Sequence, residues 1–144
     1  MLLLPYPPSA NRYYRSFRGR MVRSSAAVAY RETVERIANE NGVRLHEGPV
    51  KVTIRLLPPK PQDWLKRLKR VGVSDSLLGV RRIDLDNALK VALDALQGIA
   101  YLNDRQITTL RVSLGMAVEC GGVLATVDED KEWLAEMDRA LPVE

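Results

Sequence analysis

Material for disulfides, histidine-based metal centres and membrane spans is scarce in this chain. It has a single cysteine, Cys120, in 144 residues, so no internal disulfide can form and a reducing compartment is expected. Its only histidine, His46, stands in an apparent loop and cannot supply the several imidazoles of a histidine-rich metal site. No apolar run approaches the roughly 20 residues of a spanning helix. The MLLLPYPP opening is too short and wrongly flanked for a signal peptide. The expected setting is therefore cytoplasmic, with no membrane partner. Acidic side chains are absent from the first 23 residues, where every side chain charged at neutral pH is an arginine.

What is present is ordinary for a folded domain: 46% apolar and 28% charged residues, which argues against wholesale disorder. The net charge of +4 is modest, but it is unevenly spread. Lys60 to Arg82 is mostly basic and Asp128 to Glu144 mostly acidic. Basic stretches before and around the aspartates of residues 84–86 suit a polyanionic partner, although solvated surface charge has the same signature.

Hydrophobic periodicity sets the fold expectation. Leu2 to Leu4 reads as a short strand stopped by Pro5, Pro7 and Pro8. A polar, arginine-rich loop then runs to Arg23. Ser24 or Ser25 caps a helix through about Asn41, closed by Gly42, with Ala27, Val34, Ile37 and Ala38 inside and a Glu32–Arg36 pair outside. Val50 to Leu57 alternates as a strand. After PPKPQ, WLKRLKRV forms a short amphipathic helix, with Trp64, Leu65, Leu68 and Val71 opposite Lys66, Arg67, Lys69 and Arg70. A second main helix is expected from Asp86 or Asn87 to Gln97, capped by Gly98, with Leu85, Leu89, Ala92, Leu93 and Leu96 buried. Ile107 to Val118 reads as a long strand returned through Gly121-Gly122 as Val123 to Val127. EDKEWLAEMDRAL reads as an acidic helix using Trp133, Leu134, Met137 and Leu141. The class is α+β: a small mixed sheet packed by two main helices, plus the acidic C-terminal helix. Residues 1–127 would form the domain, with a basic excursion at about 60–80, and 128–144 a helical extension.

The chemistry concentrates in RRIDLDN, residues 81–87. If residues 82–86 are extended, Asp84 and Asp86 leave one face together; inside a helix they would point apart. Either Asp86 or Asn87 could simply cap the helix. Clustered carboxylates alternatively suit a hard cation, Mg²⁺ or Mn²⁺. Asp104, after the helix, offers a third carboxylate if the following turn folds back. Lys90 shares a helical stripe with Asp86 and Asp94, as a phosphate contact or as a solvated partner of Asp94. In PYPPSANRYYRSFRGR, Arg12, Arg15, Arg18 and Arg20 interleave with Tyr13, Tyr14 and Phe17, a composition suited to phosphates and bases; ordinary packing of the aromatics is the alternative, as is a plain turn-forming role for Asn11.

These stretches carry a resemblance. PYPPSANRYYR, RRIDLDNALKVALDAL and YLNDRQI, in that order across roughly residues 3–127, resemble the RusA-like Holliday junction resolvases, small dimeric endodeoxyribonucleases of bacteria and phages. The resemblance implies Mg²⁺ held by Asp84, Asp86 and Asp104, Lys90 in catalysis and Asn87 in support. It also implies a homodimer that nicks symmetrically related strands of four-way DNA in recombination and repair. The basic and aromatic stretches themselves are expected to contact that DNA, through Asn11, Arg12, Tyr13, Tyr14, Arg15, Arg18 and Arg20, through Lys66, Arg67, Lys69 and Arg70, and through Arg81 and Arg82. Asn103 replaces an aspartate of some relatives, and the basic excursion and acidic helix are additions. A branched-DNA-binding module that does not cut, and a nuclease acting on RNA, are the competing readings.

Overall fold

The computed structural model describes residues 1–142; the last two residues of the expected C-terminal extension lie outside them. Its elements in chain order are β1 (Leu2–Leu4), α1 (Ala10–Tyr13), β2 (Tyr14–Phe17), β3 (Arg20–Arg23), α2 (Ser25–Glu40), β4 (Val50–Leu57), α3 (Trp64–Leu78), α4 (Leu85–Leu96), β5 (Ile107–Leu114), β6 (Gly122–Glu129) and α5 (Lys131–Arg139). The class is α+β, with a mixed four-stranded sheet ordered β1-β6-β4-β5.

β4 is the buried centre of that sheet. Val50, Val52, Ile54 and Leu56 are fully buried on one face, as their alternation requires. β4 pairs with β5 in parallel and with β6 antiparallel. The expected β5–β6 hairpin is therefore not formed, and β5 also ends at Leu114, four residues short of Val118. The Gly121-Gly122 signal does reverse the chain, but the returning strand lands on the far side of β4. Parallel strands need a long crossover, and α3 and α4 provide it between β4 and β5.

α2 begins as expected. Ser24 is its N-cap and accepts a hydrogen bond from the Ala27 N–H. The outer ion pair is Arg36–Glu40, not Glu32–Arg36. Tyr30, absent from the expected face, is buried and donates to the Pro5 carbonyl at 2.9 Å. α4 packs more closely than a leucine face would allow. Ala88, Val91, Ala92, Ala95 and Leu96 are fully buried, while Leu85, Leu89 and Leu93 are only partly so. Small side chains on α4 and on α2 (Ala27, Ala38) let the two helices pack against each other and the sheet.

Three further expectations are corrected. The N-terminal arginine-rich segment is not a loop: after the single turn of α1 it forms the β2–β3 hairpin. α3 runs to Leu78, twice the expected length, and is kinked at Gly72. Trp64 and Leu68 pack with Val80 and Ala117 in a small second core, but Leu65 and Val71 are exposed. In α5 no residue is fully buried; Trp133 and Leu134 are half-buried, Met137 is exposed, and Leu141 lies exposed beyond its end. Asp130 holds α5 to the sheet, accepting from the Trp133 N–H and from the Thr108 and Thr109 hydroxyls. The Thr109 hydrogen bond leads in keeping this carboxyl below its ordinary pKa, with burial opposing. No helix among the described residues is long and apolar enough to cross a membrane.

Candidate functional site

Helix α4 starts at Leu85, ahead of the expected Asp86 or Asn87, and this decides how the carboxylates stand. Asp84 is the N-cap, with extended backbone (φ −66°, ψ 151°), and its carbonyl accepts the first helical bond from Ala88 N–H. Asp86 is inside the first turn. The pair does not share a strand face; it stands at the mouth of a helix, where unpaired N–H groups favour negative charge. Although Asp84 occupies the capping position, its side chain makes no capping hydrogen bond. Both carboxylates are exposed, as is Lys90 one turn further on, and no described hydrogen bond or ion pair uses any of the three.

The loop leading into this helix start is held from the opposite end of the chain. Ile83 N–H donates to the Tyr6 hydroxyl at 2.8 Å. Gly121 (φ +70°) passes so close that a Cβ there would meet the Tyr6 ring at 2.8 Å. Pro5, Tyr6, Pro8, Arg12 and Ile83 line one open groove beside it.

Asp104 is elsewhere. It opens a short 3₁₀ turn after α4, in which Asn103 and Gln106 form a capping box and the Gln106 amide ties to the His46 and Gly48 carbonyls. The 12 residues of α4 separate the two ends by about 18 Å. The fold-back that would bring Asp104 to Asp84 and Asp86 does not occur within one chain. Among the described residues, no cluster of three or more His, Cys, Asp or Glu side chains is placed to hold a metal.

The donor chemistry at the α4 start nonetheless fits a hard divalent cation. Mg²⁺ is commonly held by one or two carboxylates plus substrate phosphate, keeping several waters, and Asp84 and Asp86 offer oxygen alone.

Asp94, read from sequence as a possible partner for Lys90, has other work. Arg23 grips it with two nitrogens, at 2.8 and 2.9 Å, the Tyr13 hydroxyl donates to it, and Arg31 reaches its carboxylate at 3.4 Å and its carbonyl. Burial raises its pKa, but the hydrogen bonds from Arg23 and Tyr13 and the charges of Arg23 and Arg31 outweigh that and hold it below the ordinary range. Tyr13 is fully buried, and burial first, then Asp94, pushes its phenol well above its usual pKa. It is thus a core residue with no face for DNA, contrary to the sequence reading. Tyr14, edge-on to it at 4.8 Å, is half-buried. Sequence alone could not have found this cluster, because its partners lie 63 to 81 residues from Asp94.

The remaining residues expected to contact DNA divide in two. Asn11, Arg12, Arg15, Arg18, Arg20, Lys66, Lys69, Arg70 and Arg81 are exposed. Arg67 is half-buried and paired with Asp63 at 2.9 Å, and Arg82 is half-buried, with one guanidinium nitrogen on the Ile83 carbonyl. Asn87, next to Asp86, is half-buried.

Known proteins bear on this arrangement. A family profile described as Endodeoxyribonuclease RusA matches residues 5–126. The chain is 37% identical over 125 residues to the crossover junction endodeoxyribonuclease RusA of Escherichia coli K12, covering 85% of this chain and 88% of that protein. It is 38% identical over 127 residues to the protein of the same name from Enterobacteria phage 82, with the same coverage. The match runs from just before α1 into β6 and includes the hairpin, the α4 start and the Asp104 turn, so this chain belongs to the RusA endodeoxyribonuclease family.

Proposed function

We propose that this chain is a Mg²⁺-dependent, structure-selective endodeoxyribonuclease that resolves four-way DNA junctions as a homodimer, by paired symmetric nicks. The observation that carries the reading is the α4 start: Asp84 in the capping position with its carboxylate uncommitted, Asp86 exposed beside it and Lys90 free on the same stripe. A helix that needed these groups only for its own stability would use the Asp84 side chain as its cap.

When bound at Asp84 and Asp86, Mg²⁺ would supply an activated water and neutralise charge on the phosphate. The helix mouth adds its own N–H dipoles to the same region. Lys90 places a cation where negative charge builds on the phosphate in the transition state. Tyr6 and the packing of Gly121 hold the Ile83–Asp84 segment so that the carboxylates meet the phosphate in one orientation. The reaction needs only an activated water as nucleophile, so no protein nucleophile is assigned.

The position of Asp104 supports the dimer. If all three aspartates serve one centre, Asp104 must come from a second copy. β5 leaves an edge of the sheet open. Pairing two such edges antiparallel would carry the start of one β5, with its Asp104, toward the end of the other, where α4 begins. Two centres related by a dyad match the two symmetric strands of a four-way junction.

Labelled four-way, forked and linear duplex DNA, each incubated with protein and Mg²⁺, test this reading. Cleavage confined to branched DNA, and lost in EDTA, is expected. Equal cutting of linear duplex would reduce the protein to a general nuclease, and metal-dependent binding without cutting would make it a recognition module.

A further inference from the structure

The tip of the β2–β3 hairpin has a construction that its own stability does not call for. Phe17 pairs with Arg20, leaving the two-residue turn Arg18-Gly19, with φ of +49° and +75°. That is the turn geometry that matches strand twist, and it favours Asn-Gly or Gly-Gly. Arg18 is the one non-glycine residue with positive φ among those described, a conformation side chains disfavour. It places a guanidinium 5.3 Å from the centroid of the Phe17 ring, and Arg15 places a second at 5.3 Å. The ring, belonging to the only phenylalanine in the chain, is 48% exposed. Neither arginine has a described carboxylate partner.

The hairpin is also fixed at its root. Arg23, its last residue, and Tyr13, the residue just before it, are both bound to Asp94. Asp94 lies on the α4 stripe of Asp86 and Lys90, eight residues or about 12 Å from Asp86. The tip is therefore held at a set reach from the proposed reacting phosphate.

An exposed aromatic face flanked by two cations suits a nucleobase whose own face is uncovered, with the arginines on the adjoining phosphates. In continuous duplex the faces are covered by neighbouring pairs; at a branch point the terminal pairs expose them. We infer that Phe17 stacks on an exposed base at the branch point, making the hairpin tip a determinant of branched over linear DNA. This rests on the junction reading above.

The test is binding in EDTA to a four-way junction carrying 2-aminopurine at the branch, and to a linear duplex with the same arm sequence. Phe17→Leu keeps bulk and removes the π face; Phe17→Tyr restores it. Phe17→Leu is expected to weaken junction binding about tenfold, to abolish the 2-aminopurine signal, and to leave duplex affinity within about twofold, since that is set by phosphate contacts. Phe17→Tyr should recover both junction affinity and signal. Wild-type affinity and signal in Phe17→Leu, or equal losses on junction and duplex, would overturn the inference while leaving the nuclease reading standing. A wild-type protein with no preference for the junction would remove both.

Discussion

Asp86→Asn is expected to slow nicking of a four-way junction by at least about 100-fold, while junction binding without metal is unchanged or tighter. The carboxylate is exposed at the mouth of α4 and makes no described hydrogen bond or ion pair with the protein. Its loss to stability is limited to the helix-terminus charge effect, about 0.3–1 kcal/mol. Removing a negative charge close to bound phosphate relieves repulsion, so binding should not weaken. Asp84→Asn should behave alike. Single-turnover nicking with a parallel gel-shift and thermal melt separates the effects: the rate collapses while the melting temperature moves by a few degrees at most. Robust nicking by Asp86→Asn would remove the metal role assigned to it.

Asp94→Ala is expected to do the reverse, costing stability and hairpin placement before chemistry. It strands a buried phenol and two guanidinium groups. Breaking a fully buried pair typically costs about 3–5 kcal/mol, but the Arg23 side chain is 43% exposed and screened by solvent. About 2 kcal/mol is the reasonable expectation, a drop of roughly 6–7 °C in Tm. Because the folded carboxyl lies below its ordinary pKa, its contribution is complete above the unfolded value near pH 4 and disappears as pH falls through the folded one. The stability gap between wild type and Asp94→Asn should therefore be constant near neutrality and close in acid. A gap unchanged down to the lowest pH at which both proteins fold would show that the charge on Asp94 is not what matters.

These two aspartates show where the sequence was legible. Local rules succeeded where the partner is local: the Ser24 cap, the alternation of β4 and the helical stripe of Asp86, Lys90 and Asp94 follow from spacing alone. The motifs around residues 5–15, 81–96 and 101–107 also carried the family. Spacing failed where a distant segment decides. Gly121-Gly122 looked like a hairpin turn because nothing local reveals that β4 sits between β5 and β6. Tyr13 looked like a base-stacking residue because its burial depends on Asp94, 81 residues away. The length of α4, read correctly to within two residues, already set the separation of Asp84 from Asp104. Only the crossover topology shows that no turn undoes it.

The most direct test is a heterodimer, co-expressed with two tags and purified through both, pairing an Asp86→Asn chain with an Asp104→Asn chain. If each centre takes Asp84 and Asp86 from one copy and Asp104 from the other, one centre carries both substitutions and the second carries neither. The heterodimer should then nick one strand of a four-way junction in Mg²⁺, although each parental homodimer is inactive. A heterodimer as inactive as its parents would contradict the shared centre.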